Sequence, residues 1–162
     1  MARVVIVGCG CRGRALAREL RAGGHAVRGT TRAPEGAAAI EAAGAEAWVG
    51  DPDRLATLTG ALDGATVLCW LLGSARGTAE EVAALHGPRL QSLLTWAIDT
   101  PVRGVVYEAA GSVDTGVLFE AAASVRAACA RSRIPCAIVS VGPDRLSAWL
   151  EAALGAVESM LR

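Results

Sequence analysis

The chain has 162 residues, 52% of them hydrophobic and 4% aromatic, with 16 basic against 16 acidic residues and no formal net charge. That length suits one compact domain, and its Ala, Val and Leu suit a core of helices packed closely on a sheet. The charge balance argues against a nucleic-acid or anionic-membrane surface, and no apolar run reaches the width of a bilayer.

Residues 3–7 form a β-branched run ending at Gly8, which predicts a strand buried on both faces. A start this short, without a cleavage pattern, does not suit a secretory leader. Residues 12–22 place Leu16 and Leu20 four apart and predict a helix stopped by Gly23-Gly24, with Arg14, Arg18 and Arg21 turned to solvent. A second strand is expected over 25–29, a second helix over 34–43 and a third strand over 45–49. Residues 52–62 predict a third helix, with Asp51 as its cap and Pro52 in its first turn. Residues 65–72 are the most apolar run and predict a central strand. Residues 78–98 predict a long helical segment bent at Gly87-Pro88. A fifth strand over 102–107, a helix over 117–131, a sixth strand over 136–141 and a last helix from Pro143 complete the pattern. Strands alternating with helices imply an α/β doubly wound parallel sheet with helices on both faces, its first strand central. Nothing in composition divides residues 1–162, so a single domain is expected.

The strongest motif is Gly8-Cys9-Gly10-Cys11-Arg12-Gly13, a G-x-G-x-x-G that closes the first strand and opens the first helix. Its glycines allow a tight turn, a close approach of backbone to a pyrophosphate and close packing of helix on strand. The helix amides then face the phosphate charge. A Rossmann-type dinucleotide site follows, with Gly8, Gly10, Cys11, Arg12 and Gly13 at the pyrophosphate. A domain selective for NAD commonly carries Asp or Glu at the end of the second strand. Here no acid stands between Glu19 and Glu35, and the segment reads Arg28-Gly29-Thr30-Thr31-Arg32. Hydroxyls and a guanidinium suit a ribose phosphate. NADP is therefore expected rather than NAD, with Thr31 and Arg32 at the phosphate and Arg12 within reach of it. Asp51 is placed near adenine, and Leu71, Leu72 and Gly73 near the cofactor's ribose.

On these residues the chain resembles an atypical, extended-type short-chain dehydrogenase/reductase, close to the NmrA-like and NAD(P)-dependent epimerase-like branches. The likeness runs through Gly-Thr-Thr-Arg ending at Arg32, Gly50-Asp51, residues 86–94, residues 105–112 and residues 134–139. It implies catalysis by a Tyr and a Lys four residues apart with a nearby Ser, the lysine lowering the tyrosine pKa. This sequence departs from that pattern. All its basic residues are Arg, its one tyrosine, Tyr107, falls in a predicted strand, and Ala109-Ala110 stand where serines are usual. The Tyr–Lys chemistry cannot operate in this chain, and the family's C-terminal substrate-binding extension is expected to be missing.

Ser112, Glu108 and His86 remain as candidates for moving a proton beside a small-molecule substrate, although Glu108 reads first as a solvated edge residue and His86 first as structural. The cysteines Cys9, Cys11, Cys69, Cys129 and Cys136 are odd in number and lack metal or thioredoxin spacing, as expected of reduced thiols in a cytoplasmic protein. Cys9 and Cys11 lie near helix amides that could lower a thiol pKa and make a redox switch, with tight-loop packing as the plainer account. Leu146, Trp149, Leu150, Leu154, Val157 and Leu161 make an apolar stripe that covers the sheet or, alternatively, joins two copies in a homodimer. The expected function is dinucleotide binding or sensing without the family's catalytic pair. The alternative is an NADPH-dependent oxidoreductase with another proton donor.

Overall fold

The computed structural model describes residues 2–162. Its strands are β1 (Arg3–Val7), β2 (Ala26–Thr31), β3 (Glu46–Val49), β4 (Val67–Trp70), β5 (Gly104–Glu108) and β6 (Cys136–Val139). They pair in parallel in the order β3-β2-β1-β4-β5-β6. The chain winds outward from β1 to β3, then returns to β4 on the other side of β1. The carboxyl ends of β1 and β4 therefore flank the switch point where an open α/β sheet holds its ligand.

The helices are α1 (Cys11–Ala22), α2 (Ala37–Ala42), α3 (Ala79–Ala84), α4 (Leu90–Ala97), α5 (Thr115–Ser132) and α6 (Leu146–Met160). Alternation along the strands sends side chains to two separate cores. Val5, Val7, Leu68, Trp70, Val105 and Tyr107 pack on one face, with α4 and α5 above them. Val4, Ile6, Val67, Cys69 and Val106 pack on the other, under α1 and α6. The apolar stripe of α6 packs on the sheet through Trp149, Ala153 and Val157, which are fully buried, while Leu146 at its start is exposed. Trp149 is thus unavailable to a second copy.

Three expected helices come out differently. Residues 52–62 form 3-10 turns at Leu55–Thr57 and Thr59–Leu62 in place of an α-helix. Local side chains compete with helical hydrogen bonding there. Asp51 Oδ1 accepts the Asp53 N–H at 2.9 Å, and Thr57 Oγ1 donates to the Arg54 carbonyl at 2.6 Å. Gly60 also lies under the Trp48 ring, where an added Cβ would stand 2.7 Å from the indole.

The segment 78–98 divides into three. A capping box of Thr78 and Glu81 starts α3, a π-turn spans Leu85–Arg89, and α4 follows. Pro88 has no N–H to donate to the preceding turn, and a wide turn absorbs the missing bond. The consequence is local but large. Leu85 and His86, neighbours in sequence, both enter the core. The second expected helix likewise splits into a 3-10 turn at Pro34–Gly36 and the short α2.

Candidate functional site

A cleft of about 370 Å³ opens at the carboxyl edge of the sheet, over the switch point. Gly8, Cys9, Gly10 and Arg14 form its middle, and Thr30, Thr31, Arg32, Gly36, Gly50 and Pro52 its β2–β3 end. Leu71, Leu72, Ser74 and Ala75 form the wall beyond β4. Gly8 has φ +87°, and a Cβ there would come within 2.5 Å of the Leu71 carbonyl oxygen. Gly10 is its complement: a Cβ on it would meet no atom within 4 Å. The first is required by the turn, and the second leaves the cleft open.

The residues present fit the diphosphate of a dinucleotide. Gly10 caps α1 with no side-chain hydrogen bond, and the first turn carries no acid. The leading amides of a 12-residue helix are left to an anion at the cleft. Gly13 does not line the cleft. It packs α1 on β1, its Cβ position 3.1 Å from the Gly8 carbonyl oxygen and 3.2 Å from Ile6 Cγ2.

Among the residues expected at the cofactor, Gly8, Gly10, Thr31, Arg32, Leu71 and Leu72 line the cleft, whereas Cys11, Arg12, Gly13, Asp51 and Gly73 stand behind or beside it. Arg12 departs most from expectation. Its guanidinium turns from the β2 end toward β5, donating from Nη2 to Glu108 Oε1 at 3.0 Å and from Nε to Oε2 at 3.2 Å. The charged partner, invisible from sequence distance, draws it there. Arg14, expected in solvent, lines the cleft instead. The signal for this was available, since Arg14 stands four residues after Gly10 and so shares its face of the helix. Ala75 and Gly36 were also missed, because they reach the cleft only through the pairing of strands.

At the β2 end, Arg32 Nε lies 3.8 Å from Asp51 Oδ1, with both side chains partly exposed. The Thr31 hydroxyl donates to the Ala33 carbonyl at 3.0 Å, which fixes the turn that presents Arg32. Arg28, in the same segment, is buried away from the cleft, where it donates to Glu46 at 3.0 Å and to the Ala61 carbonyl at 2.7 Å.

The three proton-handling candidates separate cleanly. Glu108 is fully buried, not a solvated edge residue. Besides Arg12 it accepts the Gly73 N–H at 2.8 Å and the Trp149 indole N–H at 2.8 Å. His86 is also buried, with Nε2 at 2.9 Å from the Leu72 carbonyl and Nδ1 at 2.6 Å from the Tyr107 hydroxyl. A carbonyl only accepts, so Nε2 carries the proton and Tyr107 donates to Nδ1. Burial lowers the His86 pKa from its ordinary 6.5, against the raising influence of Leu72 and Glu108. Burial, with Glu108 nearby, pushes the Tyr107 phenol well above its ordinary 10.0. Ser112 alone is exposed, its N–H donating to Ser74 Oγ at 3.2 Å beside the cleft.

The loop cysteines also divide. Burial pushes the Cys9 thiol up to about 11, opposed by Arg14, so the helix terminus does not activate it. Its sulfur fills the space over Gly29, where a Cβ would stand 2.6 Å away. Cys11 is exposed and accepts a hydrogen bond from Arg14 Nη2 at 3.3 Å.

The model of the NAD(P)H-binding family matches residues 8–133. The chain belongs to that family. The matched span runs from Gly8 past β5 and takes in every residue that lines the cleft. Solved dehydrogenase and reductase structures share its fold. It is similar to a short-chain dehydrogenase/reductase superfamily protein of Agrobacterium tumefaciens with bound NAD, at TM-score 0.69 and 20% identity over 84% of this chain and 48% of that one. It is similar to an NADPH-dependent quinone oxidoreductase of Escherichia coli, at TM-score 0.62 and 21% identity over 90% and 50%. It is similar also to the triphenylmethane reductase of a Citrobacter species complexed with NADP(H), at 0.64 and 17% over 86% and 48%. The chain spans about half the length of these proteins. No curated protein sequence matches it. No helix among the described residues is long and apolar enough to cross a membrane.

Proposed function

We propose that this chain binds NADP(H) in preference to NAD(H), and that it serves as a dinucleotide-binding or sensing domain without Tyr–Lys catalysis. The observation that carries the proposal is the cleft's charge. Arg32 and Arg14 both line it, and β2 ends in Thr31 with no carboxylate on the strand. A ribose phosphate is recognised well by guanidinium, whereas the ribose diol of NAD asks for an acid. Gly8, Gly10 and the first turn of α1 hold the pyrophosphate, Thr31 and Arg32 the phosphorylated ribose, and Leu71 and Leu72 the wall beyond it. Asp51 lies 3.8 Å from Arg32, as a weak, half-exposed tether that a bound phosphate would replace. Free thiols at all five cysteines suit a reducing, cytoplasmic setting.

A second reading, an NADPH-dependent oxidoreductase, draws on Ser112 alone. Glu108 and His86 are buried with their polar atoms engaged, so neither reaches a small-molecule substrate. In that reading the cofactor supplies the hydride and Ser112, or water held beside Ser74, manages the proton.

Titration calorimetry of the chain with NADPH, NADP, NADH and NAD tests the proposal. Micromolar binding of the phosphorylated forms is expected, weakened about tenfold to a hundredfold by Arg32→Ala, the worth of one charged hydrogen-bonded contact. NADH and NAD should barely respond to the substitution. Equal affinity for all four, or none for any, would overturn it.

A further inference from the structure

Leu72 and Gly73 form the rim where the chain leaves β4, and Leu72 lines the cleft. Both polar groups of this rim are gripped by buried side chains. The Leu72 carbonyl accepts from His86 Nε2 at 2.9 Å, and the Gly73 N–H donates to Glu108 Oε1 at 2.8 Å. The two grips arrive from opposite faces of the sheet. Tyr107 and Glu108 are consecutive on β5, so their side chains alternate. Tyr107 reaches into the α4–α5 core and holds His86 through Nδ1 at 2.6 Å. Glu108 reaches into the α1–α6 side, where Arg12 and Trp149 bind its oxygens at 3.0 Å and 2.8 Å.

On the carbonyl side the arrangement is redundant if the rim is only a loop to be buried, because the Leu72 carbonyl already accepts from the Ala75 N–H at 3.1 Å. The extra bonds bring a histidine, a tyrosine and a carboxylate into the core, all costly to desolvate unless fully paired. His86 is delivered to this position by the π-turn at Leu85–Arg89, in which Leu85 and His86 are both buried.

We propose that His86, Tyr107 and Glu108 are positioning residues, a two-sided clamp that fixes the Leu72–Gly73 peptide against the half of the dinucleotide running past β4. This rests on the dinucleotide reading above. The adenosine phosphate end, at Thr31 and Arg32, lies on the other side of β1 and is untouched by the clamp. Held rigid, the rim binds without first being ordered, so its loosening weakens only ligands that reach it.

The test compares NADPH with adenosine 2′-phosphate, which occupies only the β2–β3 end. His86→Leu removes the donor to Leu72, His86→Gln restores an amide N–H at the same reach, and Tyr107→Phe deletes the hydroxyl with little change in volume. Expected are a loss of about tenfold or more in NADPH affinity for His86→Leu, substantial recovery in His86→Gln, and less than about a twofold change for adenosine 2′-phosphate throughout. Tyr107→Phe should show the same selective loss to a smaller degree, and it carries the test if His86→Leu does not fold. Parallel weakening of both ligands, or no weakening of NADPH in the folded variants, overturns the clamp. A wild-type chain that binds adenosine 2′-phosphate but not NADPH overturns it too, while one that binds neither overturns the dinucleotide reading itself.

Discussion

At the scale of single residues, the polar groups buried in this protein are those with complete sets of partners. Glu108 spends both oxygens on Arg12, Gly73 and Trp149, and the Arg12 guanidinium stacks 5.6 Å from the Trp149 ring. A carboxylate so placed is a structural joint between β5, α1, α6 and the β4 rim. His86 carries a testable pH signature. Its folded pKa lies below the ordinary 6.5 because burial opposes the charged form. Above pH 6.5 both folded and unfolded states are neutral and the contribution is complete. As pH falls through 6.5 the unfolded chain takes up the proton first, and stability declines toward the lower folded value. Tyr107 faces the ring, Glu108 is the nearby charge on the other face of the sheet, and Glu120 lines the same small cavity as His86. Chemical denaturation between pH 8 and pH 5 should show this decline, at most about 1.4 kcal/mol per pH unit. In His86→Gln the His86 share of the slope should vanish. An unchanged slope would mean that His86 is not buried neutral.

At the scale of elements, the glycine turn between β1 and α1 performs two separable tasks. Gly8 is demanded by conformation and contact, with φ +87° and the Leu71 carbonyl oxygen 2.5 Å from a built Cβ. Gly10 has ordinary φ −82° and open space around its Cβ position, yet it lines the cleft. Gly8→Ala should therefore cost about 2 to 3 kcal/mol of stability, by backbone strain and displacement of the β4 rim. Gly10→Ala should leave the denaturation midpoint nearly unchanged and weaken dinucleotide binding about tenfold, because its methyl occupies the approach of the phosphate. Denaturant titration and calorimetry on the two variants check the division. If Gly10→Ala binds NADPH as the wild type does, the pyrophosphate does not lie over this turn. The 3-10 turns after β3 teach a related lesson. Asp51 and Pro52 are good helix starters, but Asp51, Thr57 and Gly60 satisfy the backbone locally and the helix does not form.

At the scale of the whole molecule, a sheet covered on both faces leaves few reactive groups outside. Cys9, Cys69 and Cys129 are buried, Cys136 is partly so, and Cys11 is exposed at the start of α1. A thiol reagent should titrate Cys11 rapidly in the native protein, Cys136 slowly and the others only on unfolding. Saturating NADPH should protect Cys11, since the ligand's phosphates would lie over the same helix terminus. Reaction of all five at similar rates would contradict the packing on both faces. Much of this architecture was legible in the sequence. The runs at Arg3–Val7, Val67–Trp70 and Gly104–Glu108 are apolar and short, and the glycine motif marks where β1 turns into α1, so the parallel sheet and its ligand edge follow from local signals. The roles of Arg12 and Glu108 were not legible. A charged residue's direction depends on which partner the fold brings within reach, and Arg12 and Glu108 lie 96 residues apart in sequence. By itself the sequence determined the periodicity of strands and helices, the glycine turn and the absence of lysine, because each is a property of neighbouring residues or of composition. Only the tertiary structure decided which polar groups face the cleft and which are locked beneath it, because burial and pairing are settled by the packing of distant segments.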